Sequence, residues 1–224
     1  MPSRLRVFDS TVGTKILIGL TGLALFLYLV LHIAGNLLVF LGPTIFNSYS
    51  HMLLTNPLIY PIEAGLVLIF LIHVYKTVKN YLGNQQARPI AYARKERAGG
   101  PSRKTFASST MIFSGLWLVL FIVVHVRGFK FGTEYVTPDG VRDLYRLEME
   151  NFSNPLTVAF YVVSLLVVGS HLWHGILSGF QSLGAPNPSR APKAERWSRA
   201  IAAVIAGGFI FIALWAYFTG GVRS

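Results

Sequence analysis

The chain contains no cysteine. That excludes a disulfide scaffold, a thiolate zinc site, a cysteine-ligated iron–sulfur cluster, covalently attached c-type haem and a cysteine nucleophile. Charge is scarce as well. Charged residues make up 13% of the 224 positions, against about 25% in an average soluble domain. Acidic residues are rarest, 9 against 20 Lys and Arg, for a net charge of +11. The sequence also lacks a G-x-G-x-x-G turn, a P-loop and an H-E-x-x-H motif, so nothing in it marks a nucleotide site or a zinc hydrolase. What remains is histidine, carboxylate and cofactor chemistry in a chain whose mean hydropathy is +0.52.

Long uncharged runs account for that hydropathy. A bilayer core about 30 Å thick takes about 20 apolar residues in a helix. Ile16–Leu41, Phe106–Val126, Asn151–Ser189 and Ala200–Val222 carry no charge, and Leu58–Tyr75 carries only Glu63. The expected architecture is an all-α membrane protein, a single domain over 1–224. Its five transmembrane helices fall near 15–41, 57–82, 106–128, 153–182 and 197–219. The first run is too long for a signal peptide and lacks a small-residue cleavage site, so it is expected to stay in the mature protein. Pro43–Asn56 is too short to span and reads as an interfacial helix.

The basic residues lie between these runs, which argues for topology setting rather than nucleic-acid binding. Fifteen fall on one side of the alternating connections and five on the other. The positive-inside rule then puts the N-terminus in the cytoplasm and the C-terminus outside. The connections after the second and fourth spans, with Gly99–Pro101 in one and Pro186, Pro188 and Pro192 in the other, read as irregular basic loops able to meet anionic lipid or an acidic partner.

Five of the six histidines, His32, His73, His125, His171 and His174, lie within the apolar runs, where ionisable residues are costly and usually functional. Depth sorts them. His32 is 17 residues past Lys15, about 25 Å along a helix rising 1.5 Å per residue, and His125 ends its own rising span. His73 precedes Lys76 on a descending span, and His171 and His174 lie past the midpoint of another. The result is an outer pair, His32 and His125, and an inner pair, His73 with His171 or His174. Two imidazoles at one depth are what a six-coordinate b-type haem requires, one on each face of the porphyrin. A single membrane histidine is more often an interhelical hydrogen-bonding residue, and a proton pathway also uses histidine. Four helices with one paired histidine each favour two haems over a transporter or channel. His51 lies outside the runs and reads as an ordinary wet histidine ahead of a quinone or proton-transfer role. Arg127 and Lys130, just after His125, are candidates either for haem propionates or for snorkelling at the interface.

At these residues the chain resembles a known family, the di-haem cytochrome b membrane anchor of succinate:quinone oxidoreductase of the single-anchor, five-helix type, and in particular bacterial succinate dehydrogenase cytochrome b-558 subunits. The resemblance covers nearly the whole chain. It rests on H-I-A-G-N at His32–Asn36, F-N-S-Y-S-H at Phe46–His51 and Pro57–Tyr60 followed by Glu63 and His73. V-V-H-V at Val123–Val126 and H-L-W-H-G at His171–Gly175 complete it. The resemblance implies that His32 and His125 are axial ligands of a distal, low-potential haem, and His73 and His171 those of a proximal, high-potential haem. His174 stands where the family pattern has a non-ligand, and is the alternative to His171. The resemblance further implies a flavoprotein partner with FAD, an iron–sulfur partner, a quinone acceptor (menaquinone), and a place in the bacterial cytoplasmic membrane. Other quinone-linked anchors, of fumarate reductase, hydrogenase or formate dehydrogenase, are the alternative, and a haem-free proton-coupled transporter is a more distant one.

Overall fold

A computed structural model of the chain describes residues 10–87, 110–184 and 191–220. Five of its helices are long and apolar enough to cross a membrane, so the chain is a multi-pass helical membrane protein. Among the described residues there is no β-strand, only an isolated bridge between Val136 and Arg142.

Helix α1 runs Thr11–Asn36. The Ser10 side chain starts it by accepting from the Gly13 amide at 3.0 Å, one of the donors that a helix start leaves unpaired. A 3-10 turn, Leu37–Leu41, extends it to Gly42. Gly42 has φ +93°, a conformation that suits glycine, and so the chain turns there. Pro43 then opens the interfacial helix α2, Pro43–Thr55, at the first position, where a missing N–H costs nothing. Helix α3 spans Ile59–Gln86 and α4 spans Met111–Phe129. A short helix α5, Leu144–Asn151, precedes α6, Pro155–Ser182. The Asn154 side chain caps α6 by accepting from the amides of Leu156 and Thr157. The last helix, α7, spans Ala191–Gly220.

Two expected boundaries move outward. Helix α3 carries Lys76 and Lys79 and continues to Gln86, past the expected end near 82. Helix α7 begins at Ala191, ahead of the expected start near 197, so Pro192, Lys193, Glu195 and Arg196, expected before the helix, form its first turns. There Arg199 donates to Glu195 at 3.2 Å, one turn away. Apolar patterning stops where the headgroup layer begins, but backbone hydrogen bonding does not, so both helices run past their expected ends. Gly99–Pro101, Pro186 and Pro188 lie outside the described residues.

Close packing is concentrated on α1, α6 and α7. A methyl group at Gly19 would stand 3.2 Å from the carbonyl oxygen of Gly179, and one at Gly169 would stand 3.1 Å from the Ala206 side chain. Small residues let helix backbones approach in lipid, where van der Waals contact replaces the hydrophobic effect as the main attraction. Phe152, Val158, Tyr161, Leu165, Val168, Ala213 and Ala216 form the principal core between α6 and α7. No residue of α3 or α4 is among the buried described residues.

One end of the bundle is capped by α2 and α5. Asn47, only 4% exposed, donates to Asp143 at 2.8 Å and accepts from the Tyr145 amide at 2.9 Å. Asp143 in turn accepts from the Arg146 amide at the start of α5. Arg142 closes the segment against α4 by donating to the carbonyl oxygens of Phe129 and Lys130. Lys130 pairs with Glu63, tying the end of α4 to the start of α3.

Candidate functional site

The four spans that carry paired histidines bring them together at two levels. Near the capped end, His32 of α1 and His125 of α4 have ring centres 5.8 Å apart and planes at 88°. His32 stacks on Tyr28, with centres 5.5 Å apart and planes at 14°, and leans on Phe209 of α7. His125 is ringed by Phe121, Phe129 and Tyr161. Toward the other end, His73 of α3 and His171 of α6 lie within electrostatic reach of each other. All four rings are half-buried.

Side-chain hydroxyls lie against the Nδ1 atoms of three of the rings. Thr21 has one hydroxyl proton and donates it to the Leu17 carbonyl at 2.6 Å. Its oxygen, 3.1 Å from His73 Nδ1, is therefore left to accept, so His73 carries its proton on Nδ1 and a lone pair on Nε2. The same logic repeats across the bundle. Ser114 donates to the Met111 carbonyl at 3.0 Å and stands 3.0 Å from His171 Nδ1. On the other level, the Tyr161 hydroxyl lies 3.2 Å from His125 Nδ1. For His73 and His171 this is the arrangement that metal-ligating histidines use, with one ring nitrogen held by a neighbour and the other free. His32 differs. Asn36 donates to the His32 carbonyl at 2.8 Å and its nitrogen lies 3.4 Å from Nδ1, so stacking on Tyr28 rather than an acceptor holds this ring.

Glycines let the inner pair pack close to the neighbouring helices. A methyl group at Gly22 would stand 3.1 Å from His73 Cε1, and one at Gly115 would stand 3.6 Å from His171 Cε1. His174, one turn beyond His171 on α6, neighbours His171 electrostatically. The adjacent Trp173 packs under Arg199, 4.3 Å from the ring centre. His51 is exposed on α2. Among the described residues no three His, Asp or Glu side chains gather as they would around a bare metal ion.

Sequence reading did not single out Thr21, Ser114 or Tyr161. Each lies 36 to 57 positions from its histidine, so no local spacing marks it. The available signal was depth: a hydroxyl on an apolar span, level with a histidine on the next. Comparison with protein-family models, with curated proteins and with solved structures finds no match to this chain.

Proposed function

We propose that this chain is the cytochrome b membrane anchor of a succinate:quinone oxidoreductase, with His32 and His125 as axial ligands of one b-type haem and His73 and His171 as those of a second. The observation that carries the reading is the pairing of four histidines from four spans at two levels, with hydroxyl oxygens beside Nδ1 of three of them.

The residues fit the group. His32 and His125 come from different helices with ring centres 5.8 Å apart, and would offer one imidazole each to a haem iron. Gly22 and Gly115 let the inner imidazoles lie close against α1 and α4. Helices α3 and α4, which bring one histidine to each pair, have no buried residue of their own among those described. Large planar groups on the inner faces of these two helices would complete that packing. Ser114, which holds His171, favours it over His174 as the ligand.

Bound there, each haem would supply one-electron redox chemistry. The chain's own share is to hold and orient. Four imidazoles bind, Thr21, Ser114 and Tyr161 fix three of the rings, Tyr28 and Phe209 wedge the fourth, and the surrounding aromatic side chains exclude water. In this reading the basic end of the bundle faces the cytoplasm and docks an iron–sulfur subunit. A flavoprotein with FAD oxidises succinate, and menaquinone in the membrane takes the electrons. The uneven spread of Lys and Arg supports that orientation, with the C-terminus outside.

The test is a reduced-minus-oxidised spectrum of the purified full chain with haem counted per polypeptide. Two b-type haems are expected. No haem, in membranes as well as in the purified chain, would overturn the reading. Co-purification of a succinate-oxidising flavoprotein separates this anchor from those of other quinone-linked enzymes.

A further inference from the structure

Two hollows adjoin at the capped end of α4, and they share Arg127 and Phe131. One is polar, about 560 Å³, and Glu150, Asn151, Asn154 and Thr157 lie on its wall. The other is an apolar groove of about 510 Å³ formed by Ile122, Val123 and Val126. It opens on the outer surface of the bundle, where Val123 is 60% and Phe131 73% exposed. Polar hollow and apolar groove thus meet at one exposed cation.

Among the described residues Arg127 has no ion-pair partner. The described ion pairs Lys130–Glu63 and Arg199–Glu195 do not involve it, and no hydrogen bond or ring contact holds it. It does not face the histidines either. Two residues of α-helix turn through about 200°, so Arg127 stands on the side of α4 opposite His125 and on the side of exposed Val123. A haem propionate on His125's face is therefore a poor partner for it. The other groups on the polar wall are largely committed. Asn154 caps α6 and Asn151 donates to the Gly128 carbonyl at 3.4 Å.

We propose that this paired hollow binds an anionic phospholipid, its phosphate on Arg127 and its acyl chains along Ile122, Val123 and Val126. Charge and shape together select this occupant. A guanidinium forms paired, charge-assisted hydrogen bonds with a phosphate, whereas a quinone ring presents no negative charge to it. A groove lined by exposed aliphatic side chains suits acyl chains and gives no reason for a soluble phosphate to stay. The inference does not depend on haem.

Native mass spectrometry of the full chain, released from micelles containing phosphatidylglycerol or phosphatidylcholine, tests it. The unaltered chain is expected to keep one phosphatidylglycerol in preference to phosphatidylcholine. Arg127→Gln should weaken that retention about tenfold or more, with helicity and haem content unchanged. Val123→Trp, which fills the groove without touching the charge, should weaken it as well. Arg146→Gln removes a nearby cation that packs on Tyr135 and should have no effect. Equal retention of the two lipids, retention by Arg127→Gln at the unaltered level, or a quinone found in place of the phospholipid would each overturn the proposal.

Discussion

The Tyr161 hydroxyl reaches from α6 to within 3.2 Å of Nδ1 of His125 on α4, and Phe152 and Phe121 pack edge-on against the same tyrosine ring. Tyr161 is thus a buried strut whose polar tip is spent on one imidazole. Tyr161→Phe keeps the packing and removes the tip. Loss of such a partner typically weakens metal binding 10- to 100-fold. The expected result is partial loss of the haem at His32 and His125 and a shifted midpoint for what remains, with the other haem unaffected. Unchanged content and midpoint would reduce Tyr161 to a packing residue.

Histidine replacements should fall into two groups. His32→Ala and His125→Ala are expected to remove the same haem, and His73→Ala and His171→Ala the other, as counted by reduced spectra. His174→Ala is expected to keep both. If His174→Ala lost a haem while His171→Ala kept it, the inner ligand would have to be reassigned.

The α1–α6 contact gives a prediction free of any cofactor. A methyl group at Gly179 would stand 3.1 Å from Leu23 Cγ. Gly179→Val should therefore cost about 1–3 kcal/mol through overpacking, read as a lower midpoint of thermal unfolding in detergent. Gly65→Val is the control, because nothing lies within 4 Å of a methyl group there. Equal loss from both would show that the contact is not tight.

Glu148 on α5 is 4% exposed, and burial pushes its carboxyl from an ordinary 4.5 up to about 8. Between those values the folded chain holds a proton that the unfolded chain has released. Stability linked to this group therefore falls as pH rises from about 4.5 to 8 and is level on either side. Glu148→Gln removes that slope. The variant's midpoint relative to the unaltered chain should rise steadily from pH 4 to pH 8. A constant difference across that range would mean that Glu148 is ionised in the folded state.

The sequence was most readable where lipid imposes a single requirement. Uninterrupted apolar runs have few uses other than spanning, and five such runs gave five helices. The depth of each histidine followed from counting along those helices, because rise per residue is fixed, and the structure places His32 beside His125 at one level. Side-chain roles set by contacts between distant spans were not readable. Asn47 looks like any polar residue of an interfacial helix until Asp143 and Tyr145 are seen beside it. Arg127 and Lys130 look alike in the sequence, yet Lys130 pairs with Glu63 and Arg127 faces the groove. The helix α5 was missed because eight residues of mixed charge carry too little periodicity to show.

The link from Asn47 to Asp143 spans 96 positions, which bears on how the chain is made. Synthesis proceeds from the N-terminus, so α2 leaves the ribosome while its partner on α5 is still unmade. The two can meet only after α3 and α4 have entered the bilayer and the segment between α4 and α6 has emerged on the same side as α2. Closure of this cap is therefore among the late events of assembly. Until then the Asn47 amide has only water or headgroups to bond.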